Sequence, residues 1–168
     1  MPVLQILKYG DKRLKKQSLP IQTITAPYKK FAYDMLQTMY ARQGIGLAAI
    51  QCGQDIRLIV VDVDWVNGKE NPYIIFNPEI IDSSGISTQE EGCLSIPGVN
   101  AEVTRPDTIT VSGYDRNGQP LLLENISGML ARCILHEVDH LNGVLFVDKI
   151  SETDKAINSG KLKKLASK

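Results

Sequence analysis

Ser127-Gly128-Met129-Leu130-Ala131-Arg132-Cys133-Ile134-Leu135-His136-Glu137-Val138-Asp139-His140-Leu141 is the stretch whose periodicity decides the fold class. Leu130, Cys133, Ile134, Glu137, Val138 and Leu141 recur at helical steps, and Gly143 follows as a residue suited to the left-handed stop of a helix. A long helix is predicted from about Ser127 to Leu141. Most of what precedes it reads as strand. Ile56 to Val63 is a β-branched run typical of a buried strand, and Tyr73-Ile74-Ile75-Phe76-Asn77-Pro78 reads as another, with Asn67-Gly68 at the connection. Thr108 to Tyr114 alternates polar with apolar residues. Asp115-Arg116-Asn117-Gly118 then supplies turn chemistry before Pro120-Leu121-Leu122-Leu123, which predicts a hairpin. An earlier helix is expected from Thr25 to Arg42, with Pro27 near its start and Gly44 just past its end. Strands leading into a late helix predict an α+β domain.

The chain has 168 residues, 43% hydrophobic and 23% charged, which suits one ordinary globular domain and excludes collagen-like or mucin-like composition. No repeat, heptad run or low-complexity tract points to a solenoid or coiled coil. Nineteen Lys plus Arg balance nineteen Asp plus Glu. That balance argues against membrane adhesion or sequence-specific nucleic-acid binding as the main activity. No apolar run is long enough to span a bilayer and the start lacks a signal-peptide pattern, so a cytoplasmic protein is expected. The three cysteines, Cys52, Cys93 and Cys133, are an odd number, too few for a disulfide framework. Residues 1–150 are expected to form one catalytic domain. Residues 151–168, polar and rich in lysine (Lys161, Lys163, Lys164, Lys168), read as a solvated or frayed tail, with partner binding as the alternative.

His136 and His140 are the only histidines. In His136-Glu137-Val138-Asp139-His140 they lie one helical turn apart on one face, where both can bind one metal, and Glu137 can serve a metal-activated water. The plainer alternative is an exposed helix with unrelated polar residues. A catalytic site needs a third protein ligand and an open position. The place where a metzincin puts its third histidine is Phe146, and the downstream carboxylates Asp148, Glu152 and Asp154 crowd into the helix exit and tail. Cys133 shares the face of the histidines, but lies seven residues from His140, about 10.5 Å along the axis at 1.5 Å per residue. Core packing is the default for Cys133 and for Cys52. Cys93 remains, in Glu90-Glu91-Gly92-Cys93-Leu94-Ser95-Ile96-Pro97-Gly98, a loop or irregular strand able to present a thiolate. Gly44-Ile45-Gly46-Leu47-Ala48-Ala49-Ile50-Gln51 is rich in small residues, which suggests close approach of its backbone to something, or a tight helix-to-strand turn.

Gly44 to Gln51, Glu91-Gly92-Cys93-Leu94-Ser95 and the histidine motif coincide in order and spacing with the three motifs of the peptide deformylases, and the chain resembles that family over roughly residues 1–150. The resemblance implies an α+β fold with antiparallel sheets around a central helix carrying the histidines. It implies a divalent metal on Cys93, His136 and His140, Fe2+ by family expectation, with Zn2+, Ni2+ or Co2+ as other occupants. It further implies removal of the formyl group from the initiator Met of nascent polypeptides, with Glu137 as general base and the Gln51 side-chain amide and Leu94 N–H as oxyanion donors. By the same similarity the peptide lies as an added strand between Ile45-Gly46 and Gly92, and its Met side chain enters a pocket that includes Ile45, Met129 and Cys133. Glu91 and Arg105 would pair to brace the Cys93 loop. Leu135 and Ile50 depart from the Gln and Pro that many members have there, at positions outside this chemistry. Some members contact the ribosome through a longer C-terminal helix, so the shorter tail is a candidate ribosome contact. Two competing readings share the histidines: a zinc metallopeptidase cutting internal peptide bonds, and a structural metal site closed by Cys52 or Cys133 as a fourth ligand.

Overall fold

The computed structural model describes residues 3–168. In chain order its main elements are α1 (Ala26–Ala41), β1 (Gly46–Ala48), β2 (Leu58–Val61), β3 (Tyr73–Ser84), β4 (Ser87–Cys93), β5 (Ile96–Arg105), β6 (Thr108–Tyr114), β7 (Pro120–Ser127), α2 (Gly128–Leu141) and α3 (Glu152–Ala166). Five antiparallel strands form one sheet in the order β1-β2-β3-β6-β7, and β4-β5 form a separate antiparallel hairpin. The fold is α+β, as the order of strands and helices predicts.

Strand β2 shows why its sequence is apolar at every position. Leu58 and Val60 pack with Met35, Leu36 and Met39 of α1, whereas Ile59 and Val61 pack with Ile134, Val138 and Leu141 of α2. Side chains alternate across a strand, so a run buried on both faces cannot contain a polar position. The sheet is thereby clamped between two helices. A third core joins Ile96, Val99, Ala101 and Val103 of β5 to Leu145, Phe146, Val147 and Ile150 after α2. No helix among the described residues is long and apolar enough to cross a membrane.

Of the two readings of the Cys93 region, loop or irregular strand, the structure has the strand: β4 runs to Cys93, with its pairing irregular between Glu91 and Cys93, and returns through β5, whose buried residues alternate with exposed Asn100, Glu102 and Thr104. One expectation needs correction. The segment after Ser151 is no frayed tail. It forms α3, begun by the Ser151 side chain accepting from the Asp154 N–H, with acidic Glu152 and Asp154 in the first turn and Lys163 and Lys164 in the last. Cap and charges both complement the helix dipole. Leu162 and Leu165 pack on the third core, and Ala166 lies so close to Gly10 that a side chain there would collide with its backbone.

Gly143 ends α2 with φ +75°, and a β-carbon on it would strike the Lys15 carbonyl. Gly143→Ala is therefore expected to cost about 1–3 kcal/mol, from the left-handed conformation and the clash together. Chemical denaturation should show a lower midpoint with an unchanged slope.

Candidate metal centre

Helix α2 is amphipathic with an unusual second face. Its apolar side covers the sheet, while Arg132, His136, Glu137 and His140 are also buried. A polar helix face can leave water only if other groups satisfy it. Here the β4-β5 hairpin does so for Arg132 and His136, whereas Glu137 Oε1 and His140 Nδ1 have no partner among the described residues.

Cys93, at the end of β4, meets both histidines. Its Sγ lies 3.3 Å from His140 Nε2, and one ligand atom from each of Cys93, His136 and His140 falls within 4.8 Å of the others. Around a tetrahedral ion, sulfur and nitrogen ligands stand roughly 3.5 Å apart given bonds near 2.3 and 2.0–2.1 Å. The donor set therefore fits a transition metal held by one thiolate and two imidazoles. Among the described residues this is the group of His, Cys and carboxylate side chains that could hold an ion. Neither Cys52 nor Cys133 belongs to it. Cys133 Sγ donates instead to the Ile45 carbonyl at 3.4 Å, and burial drives both thiols up, Cys52 to about 12. Such thiols are packing groups rather than thiolates.

Glu91 orients one imidazole. Its Oε1 is 2.9 Å from His136 Nδ1, which leaves Nε2 of that ring free to face Cys93 and His140. Arg105 grips the same carboxylate through Nε at 2.6 Å and NH2 at 2.9 Å, confirming the expected pair, and its NH1 reaches Asp139 at 2.9 Å. Sequence reading missed Arg132, whose NH1 adds a bond to Glu91 Oε2 at 2.6 Å. The only signal was a cation one turn before His136, on the face that also carries both histidines. Burial alone would raise the Glu91 carboxyl, but hydrogen bonds from Arg105 and His136 reverse this and hold it at about 2. Burial likewise keeps the His140 ring neutral, as a ligand requires, helped by the neighbouring His136. His136 is raised despite burial, by Glu137, Cys93 and Glu91.

Glu137 sits beside the ligands. Burial pushes its carboxyl up to about 7, and its Oε1 has no hydrogen-bond partner among the described residues. Gln51 is fixed at both ends. Its Oε1 accepts from the Ala48 N–H at 2.9 Å, while Nε2 donates to Ser95 Oγ at 3.0 Å and points at Cys93 Sγ at 3.5 Å. A cleft of about 360 Å³ opens over this group. Ile45, Gly46, Gln51, Gly92, Cys93, Leu94, Met129, Cys133, His136 and Glu137 all line it, so every sequence-predicted residue except the deeper His140 reaches the cleft wall. Arg132, Gln43 and Glu90 line it too and were not anticipated.

The Gly44 to Gln51 segment resolves into β1 and a 3-10 turn over Ala49–Cys52. Strand β1 is a sheet edge, paired only with β2. Its small residues have a specific cause: a β-carbon on Gly46 would lie 2.6 Å from both Cys133 Sγ and Glu137 Oε2, and one on Gly44 would lie 2.7 Å from Leu94 Cδ1.

Comparison with known proteins agrees with this geometry. The profile of the Polypeptide deformylase family matches residues 3–156. A peptide deformylase of Brucella suis is 46% identical over 168 residues, spanning 99% of this chain and 95% of the relative. One of Mesorhizobium japonicum is 44% identical over 167 residues, spanning 99% and 94%. The crystal structure of a peptide deformylase from Legionella pneumophila superposes with a TM-score of 0.89 at 41% identity, over 97% of this chain and 95% of that one. That of Ehrlichia chaffeensis in complex with actinonin gives 0.89 at 39% identity over 98% of each chain. With sequence and architecture matched over nearly their whole length, the chain belongs to the polypeptide deformylase family, metal-dependent hydrolases that remove the N-formyl group from nascent polypeptides.

Proposed function

We propose that Cys93, His136 and His140 hold a single Fe2+ and that Glu137 is the general base of a deformylation reaction in the cytoplasm. The observation that carries this reading is the convergence of the three donor atoms within 4.8 Å beneath the cleft, with Glu137 beside them. When bound, the ion supplies Lewis-acid polarisation of the formyl carbonyl and acidifies the attacking water. The chain's own groups do the rest. Glu137 Oε1, with its raised carboxyl, takes the proton of the water and returns it to the leaving amine, so that formate and a free amino terminus result. The Gln51 amide, whose direction is set by Ala48 and Ser95, and the Leu94 N–H, at the turn after β4, donate to the oxyanion.

Substrate placement follows from edge strand β1. The peptide adds beside Ile45-Gly46 and runs along Gly92 on the cleft wall. Its Met side chain enters between Ile45, Met129 and Cys133 on the cleft wall. Helix α3 is the proposed ribosome contact, since Lys163 and Lys164 are exposed on its last turn.

Glu137→Gln should lower kcat for formate release from formyl-Met-Ala-Ser by about 10²–10⁴-fold while leaving metal content unchanged. Unchanged kcat would remove Glu137 as base. Gly46→Ala, which forces Glu137 aside, should cost about 10²-fold in kcat/KM with an unaltered circular dichroism spectrum. Chelation should abolish formate release yet leave the cooperative thermal transition in place, whereas collapse of the fold would indicate a structural ion. Lys163→Glu with Lys164→Glu should weaken sedimentation with ribosomes at physiological salt and spare hydrolysis of the short peptide; undiminished sedimentation would exclude α3 as the contact.

A further inference from the structure

The three donor atoms come from two separately hydrogen-bonded bodies. His136 and His140 belong to α2, which packs on the five-stranded sheet, whereas Cys93 belongs to the β4-β5 hairpin, which shares no ladder with that sheet. The distance between thiolate and imidazoles therefore depends on side chains that cross from helix to hairpin. Arg132 crosses most often. From α2 its NH1 donates to Glu91 Oε2 on β4 at 2.6 Å and to the Val103 carbonyl on β5 at 2.9 Å, and its NH2 donates to the Ser87 carbonyl on β4 at 2.8 Å. Both strands of the hairpin are thus held by one guanidinium. Arg105 differs, since it grips Glu91 from within the hairpin and reaches α2 only through Asp139.

We propose that Arg132 is a positioning residue for the metal centre, fixing the Cys93 hairpin at binding distance from the two histidines and pressing Glu91 against His136 Nδ1. The inference rests on Cys93, His136 and His140 being the ligands. A planar fork with several donors can span Glu91, Val103 and Ser87 together, which a lysine ammonium on a flexible stem cannot reproduce. Removing Arg132 still leaves Glu91 bonded to Arg105 and His136, so the buried carboxylate is not orphaned and the variant should fold. What it loses is the three bonds by which one side chain of α2 holds both hairpin strands, leaving His136–Glu91 and Arg105–Asp139 as the remaining links between them. Groups that orient ligands from behind typically change metal affinity by about 10–100-fold when removed.

The test uses the purified full-length protein loaded with Co2+, with release into excess chelator followed by loss of the Co2+ absorption bands. The wild type should show a near-ultraviolet thiolate-to-cobalt band that Cys93→Ser abolishes. If it does not, the ligand assignment fails and the inference with it. Given that band, Arg132→Met should release Co2+ about 10–100-fold faster, and Arg132→Lys should fall between it and the wild type. Met35→Ala, a cavity in α1 on the opposite face of the sheet, supplies a control that lowers thermal stability without touching the hairpin. Release from Met35→Ala should match the wild type. Arg132→Met and Arg132→Lys releasing at the wild-type rate, or Met35→Ala releasing as fast as Arg132→Met, would reduce Arg132 to a general stabilising contact and overturn the proposal. If Arg132→Met fails to fold, Arg132→Lys alone decides by the same comparison.

Discussion

A single buried carboxylate, Glu91, holds the centre of this protein together. Two guanidinium groups and one imidazole converge on its two oxygens, from Arg105 of β5 and from Arg132 and His136 of α2. An isolated carboxylate at that depth would be protonated, and it stays ionised only because each oxygen is paired twice over. The pairing is shared, so losing one partner still leaves the others on the carboxylate; only stripping it of its cations would leave an uncompensated buried charge, which typically costs about 3–5 kcal/mol. Arg105 extends the same network to Asp139 on α2, which Lys149 also approaches at 3.6 Å.

That network explains a division of labour between the two packing surfaces of α2. Toward the sheet the contact is apolar and closely interdigitated, as expected where a helix covers a two-faced strand layer. Toward the hairpin the contact is made of directed polar bonds. Apolar packing tolerates small slides, whereas charge-assisted bonds of 2.6–2.9 Å fix both distance and angle. A metal site assembled from two bodies needs the second kind of contact. The β4-β5 hairpin can then supply Cys93 with little help from its own strand pairing, which is irregular between Glu91 and Cys93.

The elements with a strong period were legible from the sequence: α1, α2, β2 and the β6-β7 hairpin stand within a few residues of where spacing puts them. The histidine pair stood out in the sequence because histidine is so scarce that it had no competitor, and the structure brings both rings together with Cys93. Strand β5 was not. Its alternation of Val99, Ala101 and Val103 with Asn100, Glu102 and Thr104 is present, but Pro97-Gly98 directly after its first residue, Ile96, and a charged Arg105 at its end together obscure the strand. Helix α3 was hidden for a different reason. Its polar, lysine-rich composition suggested a solvated or frayed tail, and only the Ser151 cap, the end charges and the paired Leu162 and Leu165 favour the helix. Arg132 could not be placed at all without the hairpin, because nothing local says which carboxylate it will find.

Helix α2 breaks the rule that a surface helix turns its polar face to water. His136, Glu137, His140 and Arg132 are each at most 7% exposed, so their desolvation is offset by partners drawn from other elements. His136 and Arg132 find those partners in the hairpin. Glu137 does not: its Oε2 lies where a β-carbon on residue 46 would stand 2.6 Å away, and its Oε1 has no hydrogen-bond partner among the described residues. Burial without compensation is what raises that carboxyl to about 7, near the value at which a group can both accept and return a proton at neutral pH. The same enclosure that makes Glu91 permanently ionised thus leaves Glu137 free to change its proton, and the difference lies in the donors that face each one.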